Sequence, residues 1–553
     1  MRGKEIFANF YLHFPASLVI IELYFFIPEG TPLHSRLKRI LALPLALVLA
    51  AGLGACRKSP PEGAVTTAPP ASQAPPRDTL TLPFARQDVL NPYALTAALN
   101  RSLSTLLYEG LFLVDETWKA RPVLAEAIEQ TAPLAWLVTL RPGRVFHNGA
   151  AVTAEDVAYS FRKAQSTPDF QARLADVSKC VAVDGAVELT LRAANQYIAA
   201  NLDFPIVPAN SAETGLLPEA KGGYLFTEAS TPPGTGRYQL SERDSAFVLE
   251  YDPRHPGPAP TITTVELYGT RNSGALLYGL EMGSYQFAYD DPGESEAARV
   301  NAATMRVPTT NLVYLGFNAN HGALQEPGVR AALGACINKA ALLNEAFRSY
   351  ARPTDTPFPP GWHGVTQGDF DKPYNAAGAR KALEDLGYTE LNNGVRGSRH
   401  RQLKFTLLVN GDSPAKLAAA RAVKVQLGTF QIAVDVQALP GEQYFAAVRG
   451  GWFDMYIGEV RLTPDCSLAP LLLSGGAASA GVDVWGAASS AYGQLLQGLV
   501  TPAKFVSVFQ EELPFLPLGY RDGMAAAARG LRIPPGIRRG DLFCGIAAWE
   551  FLN

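Results

Sequence analysis

Cysteine is scarce in this chain: five residues in 553, at positions 56, 180, 336, 466 and 544, with no C-x-x-C pair among them. A disulfide framework is thereby excluded, and the usual sequence sign of a zinc or redox centre is missing. Histidine is scarce as well. The seven histidines, at 13, 34, 147, 255, 321, 363 and 400, include no i,i+3 or i,i+4 pair and no H-E-x-x-H, so metal catalysis has no sequence support. No G-x-S-x-G elbow and no Walker A loop occurs, which leaves a serine hydrolase of that architecture and a P-loop NTPase unsupported. Basic blocks are absent: 48 Lys and Arg stand against 51 Asp and Glu, a formal charge of -3 without the clustered cations that phosphate neutralisation needs. Nucleic acid is not an expected partner. What the chain has is bulk, with 47% hydrophobic residues over a length that builds several domains around large cores.

The N-terminus is organised for export. Arg36, Lys38 and Arg39 precede an apolar run from Ile40 to Gly54 that ends in Leu53-Gly-Ala-Cys56. A basic segment, a short apolar segment and a small-residue cleavage site form a signal region over residues 1–55. The terminal tetrad resembles the lipobox of bacterial lipoproteins, which implies a diacylglycerol thioether on Cys56. Residues 56–79 then read as a lipidated cysteine and a stiff tether, with six prolines and almost nothing apolar to bury. A second apolar stretch, Phe10 to Ile27, reads either as a membrane segment or as sequence upstream of the true start, although no methionine lies between Met1 and Met282.

Along the body, Thr79 to Phe84 reads as a strand and Thr96 to Phe112 as a helix, from Leu99, Leu103, Leu106 and Leu107 at helical spacing. Trp136 to Leu140 is β-rich, Arg141-Pro-Gly-Arg144 is a turn, and a further strand is expected at Val145. Thr153 and Asp156 cap a helix from Val157 to Ala164. Arg330 to Leu343 reads as one apolar helix holding Cys336, and Pro414 to Leu427 as another, followed by a strand through Ile432, Val434 and Val436. Helix then strand, repeated, predicts a mainly parallel sheet with crossover helices.

Several blocks then coincide: Leu107-Tyr-Glu-Gly-Leu111, Arg121-Pro-Val-Leu-Ala-Glu126, Leu140-Arg-Pro-Gly-Arg-Val-Phe-His-Asn-Gly149, Pro233-Gly-Thr-Gly-Arg-Tyr238, Leu315-Gly-Phe-Asn318 and Ile337-Asn-Lys339. Together they resemble the peptide and nickel class of bacterial extracellular solute-binding proteins that serve ABC transporters, from about Leu80 to the end of the chain. The resemblance implies an α/β, two-lobed periplasmic-binding-protein-like fold with a hinge and an interlobe ligand cleft. Lobe 1 is expected at 80–311, lobe 2 at 312–511, and a C-terminal return to lobe 1 at 512–553.

It also implies a receptor without catalytic activity and without a cofactor or bound metal. Such a receptor is held on the extracytoplasmic face of the cell membrane by lipid on Cys56, takes a short peptide and hands it to ABC permease subunits. Another solute (a nickel chelate, haem or a glycan) is the alternative, and a lipid-tethered extracellular enzyme a more distant one. In the resembling family the residues before a turn like Leu90-Asn-Pro92 face the ligand, which makes Arg86 and Gln87 candidates. Asn318 either faces the cleft near the lobe crossover or simply ends a strand. Asp465 either reads a peptide ammonium or caps the apolar run that follows it; Glu459 is its substitute, and Arg461 answers a carboxylate or holds one of these acids. His147 belongs to a turn and is read as structural. Cys180, Cys336, Cys466 and Cys544 are assigned no disulfide.

Overall fold

The computed structural model of the protein describes residues 10–14, 17–21, 78–211, 225–227, 230–270, 276–292 and 300–552. Cys56 and the tether up to residue 77 lie outside the described residues. Residues 1–74 form one compact unit and 75–553 another. In the first, Phe10–Phe14 pairs antiparallel with Ser17–Ile21, with Phe10 opposite Ile21, so the described part of the first apolar stretch is a hairpin and not a helix. Among the described residues no helix is long and apolar enough to cross a membrane.

The second unit begins with β1 (Thr79–Ala85) and α1 (Ala98–Leu107), joined by a turn in which the Asn91 carboxamide oxygen accepts from the Tyr93 amide at 3.1 Å. An antiparallel sheet follows: β2 (Ala125–Ala132), β3 (Ala135–Leu140), β4 (Val177–Val183) and β5 (Ala186–Leu191), in spatial order β2-β3-β5-β4. The helix α2 (Ala154–Gln165) packs on it, started by a capping box in which the Thr153 amide donates to the Asp156 carboxylate at 2.8 Å. The strand expected at Val145 is only a single bridge to Ala151. A second sheet combines β6 (Tyr238–Arg243), β7 (Ala246–Tyr251) and β8 (Thr264–Thr270) with β1, which runs parallel to β8.

The Pro-Gly-Thr-Gly turn before β6 presses on the end of α1. A Cβ built at Gly234 would lie 1.9 Å from the Leu107 carbonyl oxygen, and one at Gly236 2.4 Å from that of Leu106. The Tyr108 hydroxyl donates to the Pro232 carbonyl at 2.9 Å. His147 ties the neighbouring turn to the same segment: its Nδ1 accepts from the Gly234 amide at 3.2 Å, which leaves Nε2–H to donate to the Gly236 carbonyl at 2.9 Å. Burial lowers its pKa, so the ring is held in this neutral form.

The larger sheet has its backbone in two long strands, β10 (Ala303–Phe317) and β14 (Phe515–Ala527), paired antiparallel from Ala303 with Ala527 to Gly316 with Phe515. With β9 (Phe287–Asp290), β11 (Lys404–Asn410), β12 (Ala433–Leu439) and β13 (Met455–Arg461) the order is β9-β14-β10-β13-β11-β12. Only β11 with β12 and β11 with β13 are parallel in this sheet. The expected mainly parallel sheet is therefore mixed, because each long strand folds back beside its antiparallel partner. The predicted helix over Arg330 to Leu343 is likewise two helices, Pro327–Ala335 and Lys339–Ala346. Asn338 breaks it by capping the second, its side chain accepting from the Ala341 amide at 3.0 Å.

The long strands cross between two cores. Val307, Ala525 and Ala527 pack with Leu80, Phe84 and Trp549 in lobe 1; Leu312 to Phe317 and Phe515 to Tyr520 pack with Ala419, Val423 and Leu427 of the Pro414–Gly428 helix in lobe 2. The second crossing thus falls at about residues 521–524 and not at 511. At the crossing Pro308, Thr309 and Thr310 stand opposite Asp522 alone, between the pairs Val307 with Gly523 and Asn311 with Arg521. Pro308 supplies no ladder amide, and the Thr309 hydroxyl takes over by donating to the Arg521 carbonyl and accepting from the Asn311 amide at 3.0 Å.

Candidate functional site

A cavity of about 1530 Å³ opens beside this crossing, walled by both lobes and by the C-terminal segment. It exceeds the roughly 300–1,000 Å³ of a typical small-molecule pocket, so a ligand of a few residues fits together with water. On the lobe 1 side, α1 is set by two buried polar residues. Asp88 accepts from the Thr96 and Ala97 amides at 3.1 and 2.7 Å, stabilising the free N–H groups of the helix start, while Asn100 bonds both backbone groups of Ala85 at 2.7 and 3.1 Å. Arg101 on this helix then points to the cavity and pairs with Asp169. Arg173 holds Asp203 through both carboxylate oxygens at 2.6 Å. From the C-terminal segment, the Arg539 amide donates to the Pro308 carbonyl at 3.1 Å, and its guanidinium lies 3.5 Å from Asp291.

Lobe 2 contributes Arg461 to Pro464. Arg461 ends β13 at the crossing, and the next residue is fixed there: the Leu462 amide donates to the Thr310 carbonyl at 3.1 Å, and the Thr310 hydroxyl to the Leu462 carbonyl at 2.7 Å. Arg461 is exposed to the cavity, and among the described residues it has no ion pair and no side-chain hydrogen bond. The cavity walls keep bulk water from it, and Arg539, Arg173 and Arg101 repel it, so its pKa falls to about 10.

Of the residues singled out from sequence, Gln87 and Arg461 line this cavity; Arg86, Asn318, Glu459 and Asp465 do not. The side chain of Arg86 lies across Gly269 on β8, outside the cavity. Asn318 ends β10 at the far end from the crossing. It is buried, its Nδ2 donating to the Gly451 and Phe453 carbonyls at 3.1 Å each and its Oδ1 accepting from the Asn320 amide at 3.2 Å. Glu459 sits behind Arg461 in the sheet, held by Arg521 at 2.8 Å, Lys416 at 2.9 Å and the Asn311 carboxamide at 3.1 Å. Arg521 also reaches Asp291 of lobe 1, so Glu459 belongs to a buried charge network at the crossing.

Asp465 is buried elsewhere between the lobes, accepting from Asn195 of lobe 1 at 2.9 Å and from the Ser467 amide at 3.2 Å, with its own amide donating to Asn201 at 3.3 Å. It caps a turn; the short helix after it, Ala469–Leu472, has Leu468 at its cap. The lobes also meet where the Trp118 indole donates to the Pro360 carbonyl at 3.1 Å and Tyr197 packs against Trp362 and His363 with ring centres 4.9 and 4.6 Å apart. Arg101, Arg173 and Arg539 escaped sequence reasoning because no local pattern marks them; three separate segments bring them to one wall. The described cysteines Cys180, Cys336, Cys466 and Cys544 are free thiols, and among the described residues no three His, Cys, Asp or Glu side chains are grouped to hold a metal ion.

Two lobes with separate cores, a strand pair crossing between them and a cavity walled by both define the class of two-lobed periplasmic binding proteins. The chain belongs to the bacterial extracellular solute-binding proteins, family 5, whose middle region matches residues 119–476. The glutathione-binding protein GsiB of Salmonella typhi is 29% identical over 313 residues, 54% of this chain and 60% of the relative. That of Pectobacterium atrosepticum is 27% identical over 374 residues, covering 65% and 69%. The chain therefore spans about three fifths of the length of the Salmonella relative it matches. Among solved structures, an ABC transporter substrate-binding protein from Sinorhizobium meliloti superposes with a TM-score of 0.69 at 18% identity, covering 86% of this chain and all of the other. The periplasmic murein tripeptide-binding protein MppA in its unliganded open form gives 0.68 at 18% identity, covering 86% and 97%. These structures share the fold.

Proposed function

We propose that the protein is the substrate-binding component of an ABC import system, that it captures short peptides in the interlobe cavity, and that it delivers them to a permease. The observation that carries this reading is the 1530 Å³ cavity with walls from both lobes at a strand crossing, in a family 5 chain. Relatives named for binding glutathione, itself a tripeptide, support it. A site for peptides of varied sequence reads backbone and ends, leaving side chains in wet surroundings. The test strips bound ligand by unfolding and refolding, then follows the melting point against peptides, metal chelates, haem and glycans. A tripeptide at a hundred times its Kd stabilises by about 2.7 kcal/mol, raising the midpoint. A shift with a chelate, haem or glycan and none with any peptide would overturn the reading.

In the same proposal the receptor is held on the extracytoplasmic membrane face through acylated Cys56, at the end of its proline-rich tether. The lipobox resemblance supports this, since two or more acyl chains give stable anchoring where one does not. Cys56→Ala is expected to abolish incorporation of labelled fatty acid in cells; label retained by the variant would refute the anchor.

A further inference from the structure

Among the described residues five arginines line the cavity, Arg101, Arg173, Arg461, Arg538 and Arg539. Four of them have a carboxylate partner within 4 Å: Asp169, Asp203, Asp541 and Asp291 respectively for Arg101, Arg173, Arg538 and Arg539. Arg461 has none among the described residues, and it is the charged residue that lobe 2 presents to the cavity. The acids of the cavity wall are all engaged. Asp169, Asp203 and Asp291 hold arginines, Asp88 holds the start of α1, Glu281 accepts from the Asn301 amide at 2.8 Å, and Asp290 is also engaged. Among the described residues the wall therefore offers one cation without a partner and no acid without one.

Resting on the reading of this cavity as a peptide site, we infer that Arg461, facing the lobe 1 arginines, receives a carboxylate of the ligand, so that the cleft selects peptides by their acid end and not by their ammonium. A guanidinium presents two parallel N–H groups that match the two oxygens of a carboxylate, which gives geometry as well as attraction. Position adds a second consequence. Arg461 stands on lobe 2 at the crossing, whereas Arg101 and Arg173, each paired with an acid, stand on lobe 1 and still repel it, so an anion that enters between them relieves that repulsion. Binding then favours the two walls together through differential contact with the approached state.

The test is calorimetric titration of the refolded full chain with trialanine, its C-terminal amide, its N-acetyl form and glutathione, in wild type, Arg461→Gln and Arg461→Lys. In wild type, amidation is expected to weaken binding about tenfold or more, as for loss of a charge-assisted pair, with N-acetylation changing it less than about threefold. In Arg461→Gln the acid and the amide should bind alike, and Arg461→Lys should recover part of the preference. The melting point of ligand-free Arg461→Gln should not fall, because no partner is lost. Equal binding of acid and amide by wild type, or a preference governed by acetylation, would overturn the inference. Citrate and inorganic phosphate separate the two readings. If no peptide binds yet citrate binds only with Arg461 present, the carboxylate pole stands and the peptide reading falls; if phosphate alone binds, or nothing does, the pole falls as well.

Discussion

Glu459→Ala is expected to lower folding stability by about 3–5 kcal/mol, the cost of breaking a buried ion pair by deleting one partner. Its carboxylate takes Arg521 on one oxygen and Lys416 on the other, and Arg521 is itself 3% exposed. Removing it takes one carboxylate from a buried guanidinium and, among the described residues, the partner of the Lys416 ammonium, at the place where both long strands change lobe. Glu459→Gln keeps the shape and the bond from Asn311 but not the charge, so it should fall between wild type and alanine. Acid gives an independent check. Burial alone would raise the pKa of Glu459, but Arg521 and Lys416 outweigh burial and hold it below the ordinary value of 4.5. A depressed folded-state pKa means stability that is fully present above the unfolded value and lost as the pH falls through the folded one. The gap in denaturation midpoint between wild type and Glu459→Gln should thus be widest at neutral pH and close below about pH 4.5. A gap that persisted unchanged at low pH would show that the carboxylate charge contributes nothing.

Gly234→Ala is expected to cost about 3 kcal/mol or more, at the upper end for overpacking. The added methyl would meet the Leu107 carbonyl oxygen at 1.9 Å, and that oxygen already accepts from the Gly236 amide at 2.9 Å. Neither side can yield easily, because the obstacle is backbone at the end of α1. The turn must lift from the helix, taking with it the bonds from Tyr108 to Pro232 and from Gly234 to His147. Chemical denaturation would register the loss, and Gly143→Ala serves as contrast: it has φ near +76° but nothing within 4 Å, so its cost is local backbone strain alone. Equal losses for the two would contradict the steric account.

Short-range signals were legible in the sequence. The Thr153 and Asp156 pair starts a helix as its spacing says, Pro142 and Gly143 make the turn, and the alternation after Ile432 is a strand. What could not be read is whatever depends on partners distant in the chain. Sheet direction is not legible, because alternation fixes which face a strand buries and not which way its neighbour runs. The crossing sits in the middle of a 13-residue strand buried throughout, where no composition change marks it. At the site, Arg461 was visible as one charge among others; only the fold shows that Glu459, two residues earlier and on the same face of the strand, is consumed by Arg521 and Lys416. Asp88 had no signal either, since it serves a helix start eight residues away.

The contact between Trp118 and the Pro360 carbonyl gives the molecule an optical gauge of its own state. Trp118 is 8% exposed and Trp362 is 1% exposed, and both are sealed by chain from the other lobe, the second beneath Tyr197. If the lobes part, these indoles meet water and their emission moves to longer wavelength, with no dye attached. Trp452 and Trp485, at 74% and 86% exposure, contribute a constant wet background that does not depend on the lobes. Replacing those two and also Trp136 and Trp549, which lie within lobe 1, by phenylalanine would leave Trp118 and Trp362 alone to follow opening, ligand by ligand.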